Sequence, residues 1–158
     1  MSVKIGDPCP TFILPDQNGK KVDSSELIGK NILVIYFYPK DDTPGCTKEA
    51  CMFRDSYETF KEMGCEVIGI SSDSEDSHRS FAERFSLQFI LLSDAGGKVR
   101  KEFGVPSNLF GLIPGRVTYV VDMDGKVRGV FNSLLDPAGH LKMAIETVST
   151  IVKENPKS

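Results

Sequence analysis

The chain has 158 residues, a formal net charge of −3, 40% hydrophobic residues and 26% charged ones. That length predicts a single domain, residues 1–158, able to bury roughly 70% of the surface its unfolded form exposes. The acidic balance argues against nucleic acid as a partner, and the longest apolar run, the seven residues from Ile32 to Tyr38, falls far short of the ~20 needed to span a bilayer.

In chain order, Thr11-Phe12-Ile13-Leu14 and Lys20-Lys21-Val22 flank Asp16-Gln17-Asn18-Gly19 and predict an amino-terminal hairpin with an Asn-Gly turn. Ile32 to Tyr38 is a continuous apolar strand of the kind buried on both faces of a sheet. Thr47 to Met63 carries apolar residues near helical spacing, and Gly64 stops it. Glu66 to Ile70 is the next strand, completing a β-α-β unit with a right-handed crossover. Ser74 to Phe85 is a second helix opened by acidic residues. A short strand, Phe89 to Leu92, and a short helix, Gly96 to Phe103, follow. Val117 to Val121 and Val127 to Phe131 flank Asp122-Met123-Asp124-Gly125 as a second hairpin. Asp136 and Pro137 then open a last helix to about Lys153 as N-cap and first residue. This order describes an α/β domain of the thioredoxin-like arrangement: a central mixed sheet flanked by helices, with an added amino-terminal β-hairpin.

The segment from Gly104 to Gly115 is rich in Gly and Pro yet carries Leu109, Phe110, Leu112 and Ile113. A loop of this length is uncommon in a compact domain. It either serves the function or caps the core.

The four cysteines are Cys9, Cys46, Cys51 and Cys65, too few for a secreted disulfide framework. No Cys-x2-Cys pair exists and His78 and His140 lie far from them in sequence, so structural zinc is poorly supported. The start of the chain has neither the apolar core of a signal peptide nor transit-peptide character. A cytoplasmic protein is expected, or an organellar stromal one if a transit peptide has been removed.

Cys46 sits where the buried strand turns into a helix. There the free backbone N–H groups and the helix dipole favour a thiolate. Cys51 lies five residues further on. At ~100° and ~1.5 Å per residue, the two Cα atoms are roughly 8.7 Å apart on faces differing by ~140°. A disulfide tolerates about 7 Å. If the pair bridges, the helix must unwind.

Pro39-x3-Thr43-x2-Cys46 resembles the peroxidatic motif of peroxiredoxins and matches it at every defined position. The Cys46-x4-Cys51 spacing is similar to the Q-type subgroup, also called bacterioferritin comigratory proteins, and the segment through Arg116 and Val117 to Asp122 looks like the family's arginine-bearing strand. The resemblance implies a thiol peroxidase with Cys46 as nucleophile and Cys51 as resolving cysteine. Thr43 would orient the peroxide, Pro39 shield the thiolate, and Arg116 stabilise thiolate and leaving oxygen. It further implies an intramolecular Cys46–Cys51 disulfide, recycling by a thioredoxin-like reductant, a monomer, and no metal, haem or flavin. Taken by themselves the residues allow plainer roles: Thr43 as a helix N-cap, Arg116 as a surface strand residue and Cys51 as a core residue. Cys9 and Cys65 read as structural, and His78 and His140 as helix-surface residues. The rival functions are a dithiol–disulfide oxidoreductase, which would call for a Cys-x2-Cys pair, and a non-enzymatic redox switch that gates a partner.

Overall fold

The computed structural model describes residues 2–108 and 113–154. Its first element is the expected hairpin, β1 (Ile13–Pro15) antiparallel to β2 (Lys21–Asp23). The turn is wider than a two-residue Asn-Gly turn. The carbonyl of Asp16 accepts from the Gly19 N–H at 3.0 Å, and its carboxylate accepts from the N–H groups of Asn18 and Lys20 at 2.8 and 3.0 Å. Gly19 is left-handed at φ +81° while Asn18 is not, whereas the two-residue form needs positive φ at both central positions.

The next elements are β3 (Ile32–Phe37), α1 (Pro44–Asp55), α2 (Tyr57–Glu62), β4 (Cys65–Ser71), α3 (Glu75–Phe85) and β5 (Ile90–Ser93). They are followed by α4 (Lys98–Phe103), β6 (Ser107–Asn108), β7 (Ile113–Pro114), β8 (Val117–Val121), β9 (Val127–Asn132) and α5 (Pro137–Glu154). The five-stranded sheet has the order β5-β4-β3-β8-β9. β3 runs parallel to β4 and antiparallel to β8, β4 is parallel to β5, and β8 and β9 form the second expected hairpin.

Every residue of β3 is buried, and the period-2 alternation of a strand sends its side chains into two cores. Ile32, Val34 and Tyr36, with Tyr38 just beyond the strand, join Phe53 of α1, Phe60 of α2, Phe81 of α3 and Ala144 and Val148 of α5. Leu33, Ile35 and Phe37 join Tyr119 of β8, Val99 and Phe103 of α4, and Cys9 and Phe12. The ring of Tyr36 stacks on that of Phe53 with centroids 4.7 Å apart, which ties α1 to the centre of the sheet.

Three regions differ most from the sequence reading. The single helix expected over 47–63 starts earlier, at Pro44, because proline at the first position gives up no intrahelical hydrogen bond. It also breaks at Ser56 (φ −103°, ψ 1°), dividing into α1 and α2. The helix expected from Gly96 begins at Lys98: Gly96 and Gly97 both have positive φ, and the Asp94 carboxylate accepts from the N–H groups of Val99 and Arg100 at 3.1 and 2.9 Å. The expected loop over 104–115 contains two short strands, β6 and β7, paired antiparallel. Leu109, Phe110 and Leu112 lie outside the described residues, as does the side chain of Ile113. No helix among the described residues is long and apolar enough to cross a membrane.

Candidate active site

β3 ends beside Pro39, a short loop spans 40–43, and α1 opens at Pro44. Thr43 occupies the N-cap position with an extended backbone, but its hydroxyl caps nothing. It donates instead to the carbonyl of Lys40 at 2.8 Å, so the side-chain capping role allowed by the sequence is not the one it has. With its proton committed to Lys40, the Thr43 oxygen is left as an acceptor.

Cys46 is the third residue of α1 and 1% exposed. Its N–H and that of Gly45 belong to the first turn, where no intrahelical acceptor is available. The Thr47 N–H closes the first turn onto the Thr43 carbonyl at 2.8 Å. The Cys46 Sγ accepts from Arg116 Nη2 at 3.2 Å.

Arg116 arrives from β8, whose first residue, Val117, stands opposite Phe37 of β3. It is 3% exposed, which sets aside its reading as a surface residue. Two further donors are occupied: Nε donates to the Leu134 carbonyl at 3.0 Å and Nη1 to Glu49 Oε1 at 2.7 Å. A Cβ on Gly45 would lie 3.1 Å from Nη2, so glycine there lets the guanidinium lie close against the helix.

Glu49 is fully buried one turn after Cys46, and its Oε2 has no hydrogen-bond partner among the described residues. Burial pushes its carboxyl up to about 7, with the Arg116 charge pulling the other way. His140 of α5 lies behind it, with Nδ1 3.7 Å from Glu49 Oε2. These two do not form an ion pair. Burial lowers the imidazole to about 4, which leaves it neutral at pH 7. The neutral ring donates from Nε2 to the Ser133 carbonyl at 2.6 Å and accepts at Nδ1 from the Thr118 hydroxyl at 2.8 Å.

Pro39, Thr43, Cys46 and Arg116 line one pocket of about 460 Å³, walled also by Pro44, Leu134, Leu135 and Pro137. Cys51 does not line it. That residue is partly buried further along the unbroken α1, and all four cysteines are free thiols. Cys9 and Cys65 are buried away from the pocket. Desolvation pushes the Cys9 thiol up to about 12 and the Cys65 thiol higher still, as expected of structural thiols.

Sequence reading missed Glu49 and misplaced both histidines, which are 0% exposed. The signal was available in the spacing. Cys46, Glu49, Ala50 and Phe53 form the buried stripe of α1, and His140, Ala144, Val148 and Ile151 that of α5. His78, Phe81 and Ala82 do the same on α3. A charged or titratable residue on an apolar stripe marks a buried polar contact.

The AhpC/TSA family model matches residues 5–130. Chloroplastic peroxiredoxin Q of Sedum lineare is 53% identical over 146 residues, covering 92% of this chain and 78% of the relative. That of Suaeda salsa is 52% identical over 149 residues, covering 94% and 69%. Among solved structures, the peroxidoxin BcpB of Mycobacterium tuberculosis superposes with a TM-score of 0.87 at 40% identity, covering 94% of this chain and 98% of that one. A bacterioferritin comigratory protein of Xanthomonas campestris gives 0.77 at 29% identity, covering 90% and 91%. A cysteine at a helix start under an arginine, on this sheet and with these relatives, places the chain in the AhpC/TSA family, among the peroxiredoxins of the Q type.

Proposed function

We propose that the thiol peroxidase activity of this peroxiredoxin runs on Cys46. The carrying observation is the buried Sγ at the start of α1, hydrogen-bonded by Arg116 within a pocket shared with Thr43 and Pro39. The thiolate attacks one peroxide oxygen and the O–O bond breaks. The other oxygen leaves as hydroxide or alkoxide and takes up a proton, while Cys46 becomes a sulfenic acid. Arg116 and the first-turn N–H groups meet the charge as it develops. Thr43, an acceptor only, receives a hydrogen bond from the peroxide O–H, and Pro39 walls the thiolate from solvent.

Cys51 then displaces water from the sulfenic acid to give the Cys46–Cys51 disulfide, and a thioredoxin-like dithiol protein reduces it by exchange. The apolar walls at Pro44, Leu134, Leu135 and Pro137 suit organic hydroperoxides as well as hydrogen peroxide, in keeping with the alkyl peroxide reduction activity of the Xanthomonas protein. The large apolar side chains exposed among the described residues, Ile5, Ile13, Met123 and Leu135, are scattered along the chain, which supports a monomer; sedimentation measures it. The plant relatives are chloroplastic, so an organellar stroma is proposed beside the cytoplasm, a choice that cell fractionation decides.

Cys46→Ser should abolish peroxide consumption, while Cys9→Ser and Cys65→Ser should leave it nearly intact. Robust turnover by Cys46→Ser refutes the assignment.

A further inference from the structure

Behind the reaction pocket a second buried polar cluster holds the catalytic loop, and no step above uses it. The Tyr38 hydroxyl donates to Asp41 Oδ1 at 2.6 Å, the Ser77 hydroxyl donates to Asp41 Oδ2 at 2.9 Å, and His78 Nδ1 lies 2.7 Å from that same oxygen. The Asp41 N–H donates to Asp73 Oδ2 at 2.8 Å, and the Ser71 hydroxyl donates to that oxygen at 2.6 Å. His78 Nε2 lies 2.9 Å from the Leu92 carbonyl. One loop residue thus gathers the end of β3, the end of β4, α3 and, through His78, β5. Asp41 and His78 are 4% and 0% exposed, while Lys40 and Asp42 on either side of Asp41 are exposed.

The partners decide how many protons this cluster requires. At bonding distance, the two ring nitrogens of His78 face a carboxylate oxygen and a carbonyl oxygen, both acceptors. A neutral imidazole has one N–H and can serve one of them, leaving a lone pair against an acceptor at the other. The doubly protonated ring serves both, and the Asp41 carboxylate matches its charge. The Tyr38 hydroxyl does not change this count: its proton is committed to Asp41, and burial and the Asp41 charge push its ionisation well above the usual range.

We propose that Asp41 and His78 form a proton-operated latch on the catalytic loop: the doubly protonated ring holds residues 39–43 in the peroxide-reactive arrangement, and loss of one ring proton loosens the loop and slows attack by Cys46. Asp41 is two residues from both Pro39 and Thr43. The carbonyl that orients Thr43 belongs to Lys40, which adjoins Asp41. Asp42 is held left-handed at φ +61°, a conformation that a non-glycine residue keeps only where its surroundings over-determine it. His78 is therefore a positioning residue acting through Asp41. The groups facing it are Asp41 from the loop, Tyr38 from just beyond β3, Ser77 from α3 and the Leu92 carbonyl from β5, with Asp73 behind Asp41.

The latch rests on Cys46 as the attacking thiol. The thiolate population of Cys46 grows with pH while the latch weakens, so the observed rate should be bell-shaped. The test is single-turnover oxidation of Cys46 by hydrogen peroxide across pH, divided by the thiolate fraction from ultraviolet absorbance. The ring nitrogens of His78 are followed by NMR in the same buffers. In wild type the rate per thiolate should fall roughly tenfold, the scale of one lost charge-assisted hydrogen bond, with its midpoint where the ring loses its proton. His78→Asn keeps an amide N–H for Asp41 but cannot change charge, and its rate per thiolate should be flat over that range. If His78→Asn melts out, Asp41→Asn, which keeps an acceptor for Ser77 or Tyr38, should be flat and lower. Three results overturn the latch: a flat wild-type profile through the ring's titration, a ring that stays in one protonation state while the rate falls, or the same decline in wild type and variant. Failure of the peroxidase assignment reads differently, as no oxidation of Cys46 at any pH.

Discussion

Arg116 performs three tasks with one guanidinium, donating to Cys46, to Glu49 and to the Leu134 carbonyl. Charge-assisted hydrogen bonds aimed at a developing oxyanion are worth about 2.7–4 kcal/mol, or roughly 100- to 1,000-fold in rate. Arg116→Ala should slow the first oxidation of Cys46 by that order in stopped-flow traces, and a rate within about threefold of wild type would place the arginine outside the chemistry. Arg116→Lys should recover little, because a single ammonium cannot reach three acceptors held apart in the plane of a guanidinium. Glu49 makes a separate prediction about stability. Burial raises its carboxyl from the ordinary 4.5 to about 7, so between these values the folded chain holds a proton that the unfolded chain has lost. Its contribution to stability is full below pH 4.5 and is lost as pH rises through 7, a change on the order of 3 kcal/mol. Glu49→Gln should flatten that decline in denaturant melts taken at several pH values. An unchanged slope would mean that the carboxylate is already ionised and paired with Arg116 throughout.

At the scale of elements, α1 carries Cys46 and Cys51, the proposed nucleophile and resolving thiol, and that placement sets its behaviour on oxidation. The helix is unbroken from Pro44 to Asp55, so its geometry keeps the Cα atoms of Cys46 and Cys51 roughly 8.7 Å apart, beyond the reach of a disulfide. Forming the bond must break at least one turn and draw Cys46 out of its buried position. Hydrogen exchange on the reduced and oxidised forms should show protection lost across roughly residues 44 to 55, with β3 unchanged; equal protection in both forms would end the argument. Two features confine the change. Ser56 already interrupts the path from α1 to α2, and Asp41 anchors the chain just upstream of α1 to α3 and the end of β4. The stacking of Phe53 on Tyr36 opposes the unwinding, so the proposed disulfide should be strained and readily reduced.

Over the whole molecule, most of the fold could be read from residue order because its elements declare themselves locally. The apolar run of β3, the Asp122–Gly125 turn and the Asp136-Pro137 helix start each satisfy a short-range rule, and each is found where that rule puts it. Boundaries shifted where local signals compete, as at Ser56 and at Gly96 and Gly97. The motif from Pro39 to Cys46, followed by Cys51, stands in contiguous sequence, so the proposed chemistry could be read from the residues themselves. What tertiary structure alone decided lies between segments distant in sequence. The antiparallel pairing of β8 with β3 carries Arg116 across 70 residues to Cys46. Packing of α1 on α5 leaves Glu49 and His140 buried face to face, and the turn into α3 delivers His78 to Asp41. A histidine or glutamate on a helix has the same letter whether it faces solvent or a buried acceptor. Its protonation is set by how many donors and acceptors surround it and how little water remains, and those are properties of the packed molecule.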